Sequence, residues 1–142
     1  HMSPINSTHA DIVDNLMEWL LNYFGADKKI RVQNPITLED SEPEPDLAVV
    51  KRQSYREHHP FADDLFLVIE VADSTLQKDR EVKLPIYAAA GIAAYWIVNI
   101  PMRCVEVHTQ PNGRQYDQMR TFRPGDVLSS TLIGSLAVAT IL

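Results

Sequence analysis

Two acidic residues and one lysine lie in or near segments that the hydrophobic pattern predicts to be buried, where a charged group is destabilising. Asp46 precedes the apolar run 47–50, Glu70 lies inside the apolar segment 65–71, and Lys83 follows shortly beyond it. A carboxylate held between apolar strand residues is destabilising unless a cation or hydrogen bonds neutralise it. A divalent metal ion is the obvious candidate for that cation.

Each of these residues also has an ordinary structural explanation. Asp46 suits a turn or cap after Pro45, and the residues alone favour that role. Glu70 could form a salt bridge with Arg80 or Lys83, although a buried pair seldom adds net stability. Lys83 could simply be exposed to solvent. These alternatives stay open at the level of the residues.

The composition indicates one folded domain. The chain has 142 residues, of which 45% are hydrophobic. It contains neither an apolar run of about 18 residues nor the opening of a signal peptide, so we expect a cytoplasmic protein without membrane contact. The single Cys104 excludes an intrachain disulfide and a cysteine-cluster zinc site, and packing is its expected role. Residues 1–2 resemble a tag remnant, which leaves 3–142 as the domain.

The charge pattern limits how the chain could contact nucleic acid. A formal net charge of −6 excludes a protein that coats nucleic acid by charge alone, because counterion release needs many clustered cations. Local contacts remain possible, and the candidates follow the two acidic strands: Arg52, Lys78 and Arg80. For His9 we expect a capping or surface role in the first turn of a helix rather than metal ligation.

The hydrophobic periodicity predicts alternating helices and strands. Helical spacing runs from Thr8 to Gly25, and a second helix is expected before Gly91, begun or bent at Pro85. Segment 65–71 is continuous and apolar, as in a central strand covered on both faces, and a parallel crossover to the next strand is plausible. Strands are predicted over 30–32, 36–38, 47–50, 65–71, 94–99, 103–109 and 115–122, and near Val127 and Leu136.

A series of spaced motifs resembles a known family. The pieces are Pro45-Asp46, Leu67-Val68-Ile69-Glu70-Val71, Asp79, Lys83-Leu84-Pro85-Ile86-Tyr87, Gly91 and Tyr95-Trp96-Ile97-Val98. Together they resemble the Uma-two family of putative restriction endonucleases, in the PD-(D/E)xK nuclease superfamily. The resemblance implies an α/β (α+β) restriction endonuclease-like core, with a central mixed sheet flanked by helices. It also implies an endonuclease that hydrolyses phosphodiester bonds, expected to be those of DNA, with Mg²⁺ or Mn²⁺.

The resemblance also implies roles for individual residues. Asp46 and Glu70 match the catalytic acids, and with the backbone carbonyl of Val71 they would bind the metal. Lys83 matches the catalytic lysine, although the superfamily usually places it two residues after the second acid, where this chain has Ala72. Such a cation makes a bound water molecule more acidic, so that it can attack the phosphate. An ammonium group offsets the negative charge that develops on the phosphorane. Supporting roles fall to Gln77, Asp79 and Tyr87.

Two expectations concern the extent and assembly of the protein. Family members usually carry an N-terminal segment with a glutamate before the first helix, so we expect that segment to be missing here. A homodimer is expected, because cutting both strands of a duplex is most simply done by paired sites.

The alternative function is a nuclease-fold module for DNA binding or assembly that does not cleave. A third is a scaffold in which an internal cation neutralises Glu70.

Overall fold

A six-stranded mixed sheet forms the centre of the computed structural model, which describes residues 6–130 and 132–142. The strands lie in sequence order across the sheet. β3 and β4 pair in parallel and the other neighbours pair antiparallel. The predicted parallel pairing and the mixed sheet are confirmed. The strands are β1 (Lys28–Val32), β2 (Leu47–Lys51), β3 (Leu65–Ala72), β4 (Ala94–Asn99), β5 (Cys104–Asn112) and β6 (Gln115–Phe122).

Helix α1 (Ser7–Phe24) covers one face of the sheet. It begins after Asn6, whose side chain accepts a hydrogen bond from the backbone N–H of His9, one residue before the Thr8 at which the helical spacing starts. It ends at Gly25, whose φ of 53° is a conformation that glycine adopts without strain. A hairpin of β7 (Val127–Ser129) and β8 (Ser135–Ala137) completes this apolar layer.

The crossover between β3 and β4 covers the opposite face. It consists of a helical turn α2 (Leu76–Lys78), a π-helical turn (Asp79–Lys83) and helix α3 (Leu84–Ala89). Pro85 lies in the first turn of α3, where the missing N–H is tolerated. The predicted irregularity is therefore confirmed, and it takes the form of the π-helical turn that carries Lys83.

Alternation along β3 divides its side chains between the two layers. Leu67, Ile69 and Val71 join the core under α1, whereas Val68 and Ala72 join the core under α3. Glu70 therefore faces the π-helical turn and α3.

Two predicted details differ from the structure, and one is confirmed. Residues 36–38 form no strand but only a single bridge, from Thr37 to Phe61. β5 continues through Pro111, so the hairpin turn centres on Gly113. Cys104 is buried, as expected for a packing role. Among the residues that the structure describes, no helix is both long and apolar enough to cross a bilayer.

Candidate metal-binding and catalytic site

A cleft of about 320 Å³ opens where the start of α1, the residues before β2, the end of β3 and the π-helical turn meet. Among the described residues, Lys83 is the one whose ammonium group lines it. The cleft carries far more acidic than basic groups, since five carboxylates also line it: Glu44, Asp46, Glu70, Asp73 and Asp79.

The antiparallel pairing of β2 and β3 brings the two predicted acids together. Leu47 pairs with Ile69, so Asp46 comes beside Glu70 at the end of the ladder. The backbone N–H of Asp46 donates to Oε1 of Glu70 (3.1 Å), and Oδ2 of Asp46 accepts from the backbone N–H of Val71 (2.7 Å). Asp46 thus caps the strand end, as the residues alone suggested, and lines the same cleft as Glu70.

Glu70 is 2% exposed, and both of its carboxylate oxygens have protein partners. Oε2 accepts from Nζ of Lys83 (3.0 Å) and from the hydroxyl of Tyr87 (3.1 Å). Burial raises the pKa of Glu70 to about 7, with smaller upward contributions from Asp46 and Asp79, while Lys83 opposes the rise. Near neutral pH this acid is therefore divided between its neutral and charged forms.

Lys83 connects Glu70 to a third acid, Asp79. Its Nζ lies 3.2 Å from Oδ1 of Asp79, which is 1% exposed and whose Oδ2 accepts from Oγ1 of Thr75 (3.0 Å). Burial acts to lower the pKa of Lys83, but Glu70 and Asp79 outweigh it, so this pKa is raised. Lys83 is consequently a stable ammonium, and the salt bridge considered for Glu70 is present.

The other predicted supporting residues divide between the site and the surface. Tyr87 is fully buried and anchors α3 to Glu70. Burial, and then the neighbouring Glu70, raise the pKa of its hydroxyl, which stays protonated as a donor. Gln77 is exposed, donates to Glu81 (3.2 Å) and does not line the cleft.

The candidates for nucleic-acid contact lie outside the cleft. Arg52 is exposed and donates to the backbone carbonyl of Lys28 (3.0 Å). Lys78 is also exposed. Arg80 forms a bidentate ion pair with the buried Glu106. Burial acts to raise the pKa of Glu106, but Arg80 outweighs it and lowers that pKa, so Arg80 is largely committed to an internal partner.

The ring of His9 also lies in the cleft, which the sequence did not lead us to expect. Its backbone takes part in the α1 cap, as expected, but its ring enters the cleft, with Nε2 at 3.5 Å from Oδ2 of Asp46. The expectation of a capping or surface role therefore described only the backbone. A signal was available: His9 lies three and seven residues before the buried Ile12 and Leu16, on the inward face of the helix.

The carboxylates of the cleft are suitable ligands for a hard cation, but they are not arranged as a complete metal-binding site. Within residues 6–130 and 132–142, no group of three or more His, Cys, Asp or Glu side chains is placed to hold a metal ion. Carboxylate oxygens are nevertheless the ligands that Mg²⁺ and Mn²⁺ prefer. A cation that uses Glu70 has to share this carboxylate with Lys83 or displace the lysine.

The mixed sheet with helices on both faces is a fold that this chain shares with a solved structure. A crystal structure described as a putative nuclease belonging to DUF820, from Anabaena variabilis ATCC 29413, aligns with a TM-score of 0.75. The alignment covers 98% of this chain and 82% of that chain at 13% sequence identity, which shows a shared fold.

Residues 1–140 match the model of the family described as "Uma2: Putative restriction endonuclease". The chain belongs to this family, and the resemblance noted in the sequence is confirmed. Comparison with curated proteins gave no match.

Proposed function

We propose that this protein is a metal-dependent endonuclease that hydrolyses phosphodiester bonds of DNA, with Asp46, Glu70 and Lys83 as its catalytic residues. The observation that carries the proposal is the convergence of two acids, 24 residues apart in the chain, with Lys83 in one cleft. Membership of the Uma2 family supports nucleic acid as the substrate. The site belongs to a single cleft, so duplex cleavage would use two copies of the chain.

The charge of the cleft is the physical reason to include a cation in the proposal. Among the described residues, the acidic groups of the cleft outnumber the ammonium of Lys83, and their negative field repels a phosphodiester. Mg²⁺ or Mn²⁺, bound by Asp46 and Glu70 with the backbone carbonyl of Val71, would reverse that local charge. When bound, the cation would make a water molecule more acidic and polarise the phosphate.

The protein's own groups would orient the reacting atoms. The N–H of Val71 fixes one oxygen of Asp46, and the hydroxyl of Tyr87 fixes one oxygen of Glu70. The ammonium of Lys83, held by Glu70 and Asp79, would offset negative charge that develops on the attacked phosphate. Its raised pKa keeps it charged for this role.

One observation favours a second candidate, a protein that keeps the nuclease fold without cleaving, such as the scaffold in which an internal cation neutralises Glu70. Lys83 already neutralises the buried Glu70 at 3.0 Å, as expected for a scaffold with an internal ion pair. Such a protein would need no cation at this position.

Cleavage of supercoiled plasmid separates the two candidates. We expect nicking or linearisation with Mg²⁺ or Mn²⁺, none with EDTA, and loss of activity in Asp46→Asn and Glu70→Gln. Asp14→Asn, at an exposed position on α1, is the matched control and should retain activity. Cleavage that persists in EDTA or in Asp46→Asn refutes the proposed site. Plasmid binding without cleavage, unchanged by either variant, supports the non-cleaving module.

A further inference from the structure

We infer that the ring of His9 is an additional ligand of the cation in this cleft, and that it makes the site prefer Mn²⁺ over Mg²⁺. The inference rests on the proposed function, because it concerns the same metal site. It adds a nitrogen donor from α1 to the oxygen donors of β2 and β3, and it gives a selectivity that the oxygen donors alone would not give.

The distance between His9 and Asp46 fits two ligands of one ion. Nε2 of His9 lies 3.5 Å from Oδ2 of Asp46. With metal–ligand bonds of about 2.1 Å, this separation corresponds to an angle of about 110° at the metal. The same distance is too long for a good hydrogen bond. The geometry is therefore better suited to a shared ion than to direct pairing.

The ring is placed by the helix rather than by hydrogen bonds. The His9 side chain is 15% exposed, and its Nδ1 is buried without a hydrogen-bond partner among the described residues. The Asn6 cap fixes the backbone at His9, and the apolar face of α1 fixes the helix against the sheet. Among the described residues, Asp46 is the one charged partner of this largely buried imidazole, so a ring nitrogen is available to bind an ion in the cleft.

The hydrogen bonds of Glu70 explain why an additional metal ligand would be needed. Both oxygens of Glu70 already accept hydrogen bonds from protein groups, so Glu70 is a constrained ligand. Asp46 and His9 can approach an ion without breaking the Lys83–Glu70 pair. Mg²⁺ strongly prefers oxygen ligands, whereas imidazole suits transition metals, so a site completed by His9 should favour Mn²⁺.

The test uses Mn²⁺ itself as the probe, on the whole chain freed of metal by chelation. Pulsed EPR of bound Mn²⁺ should show the nitrogen coupling of a coordinated imidazole, and titration calorimetry should give Mn²⁺ and Mg²⁺ affinities. In His9→Gln we expect the coupling to disappear and the Mn²⁺ affinity to fall at least about tenfold, with a smaller change for Mg²⁺. His59→Gln, in a loop outside the cleft, is the matched control.

Two results with His9→Gln would overturn the inference. One is a nitrogen coupling that survives in His9→Gln, and the other is an equal loss of Mn²⁺ and Mg²⁺ affinity, which would mean that His9 only orients Asp46. His9→Asp provides a second variant, expected to shift selectivity towards Mg²⁺. If the wild-type protein binds Mn²⁺ and cleaves DNA without nitrogen coupling, only the role of His9 fails. If it binds no Mn²⁺ at all, the proposed function fails with it.

Discussion

Replacement of Lys83 by methionine is the perturbation that most clearly separates an internal ion pair from a cation site. In the metal-free protein, Lys83 neutralises Glu70 at 3.0 Å and contacts Asp79 at 3.2 Å. Methionine fills similar space without charge, so Lys83→Met leaves two buried acids without their shared cation. We expect a less stable metal-free protein that divalent cations stabilise more strongly than they stabilise the wild type.

The magnitude follows from burial and from the ability of Glu70 to take up a proton. Removal of one partner from a fully buried ion pair costs about 3–5 kcal/mol. Lys83 retains 26% exposure, and Glu70 already has a pKa of about 7, so protonation limits the loss. We therefore expect a loss of about 2 kcal/mol at pH 7. For a chain of this size, that corresponds to a melting temperature lower by about 4–8 °C.

Thermal unfolding in EDTA and in Mn²⁺ measures both effects. Lys83→Met should melt below the wild type in EDTA and recover most of the difference in Mn²⁺, because the ion replaces the missing positive charge beside Glu70. Lys78→Met, at an exposed position on α2, is the control and should lie within about 0.5 kcal/mol of the wild type. If Lys83→Met is destabilised equally in EDTA and in Mn²⁺, the cleft does not exchange its lysine for a metal ion.

Three further predictions concern the charges around the cleft. Folded Glu70 keeps its proton to higher pH than unfolded Glu70 does, so the metal-free protein should lose on the order of 3 kcal/mol as pH rises from 4.5 to about 7. Urea unfolding should show this slope in the wild type, and an equal slope in Glu70→Gln would contradict it. Glu106→Gln should lower the urea-unfolding free energy by about 1–2 kcal/mol through loss of the charge-assisted bonds to the partly exposed Arg80, and an unchanged midpoint would disprove this. Tyr87→Phe removes one donor to Glu70 and should cost about 1 kcal/mol in the same assay, so a more stable variant would be inconsistent with that bond.

The sheet could be predicted from the sequence because its strands carry strong local signals. β3 is a continuous apolar run, and the hairpin of β5 and β6 follows alternation with a glycine turn. The two acids could be expected to meet because each lies in or next to one of these strands. The family resemblance then supplied their roles and the role of Lys83.

Other parts of the site depend on three-dimensional packing that sequence patterns do not contain. Arg80 and Glu106 are 26 residues apart, and their pairing depends on where the π-helical turn crosses the sheet. The position of the His9 ring did not follow from the sequence, because first-turn preferences describe the backbone cap, whereas the packing of α1 against the sheet decides where the side chain lies. The contact between Lys83 and Glu70 likewise depends on the π-helical turn of the crossover, which the sequence pattern does not specify.

Calorimetric titration of Mn²⁺ into metal-free protein measures whether Asp46 and Glu70 hold a divalent cation. We expect binding to the wild type and to Asp14→Asn, and loss of that binding in Asp46→Asn. Undiminished Mn²⁺ binding by Asp46→Asn, with the fold intact, would contradict it.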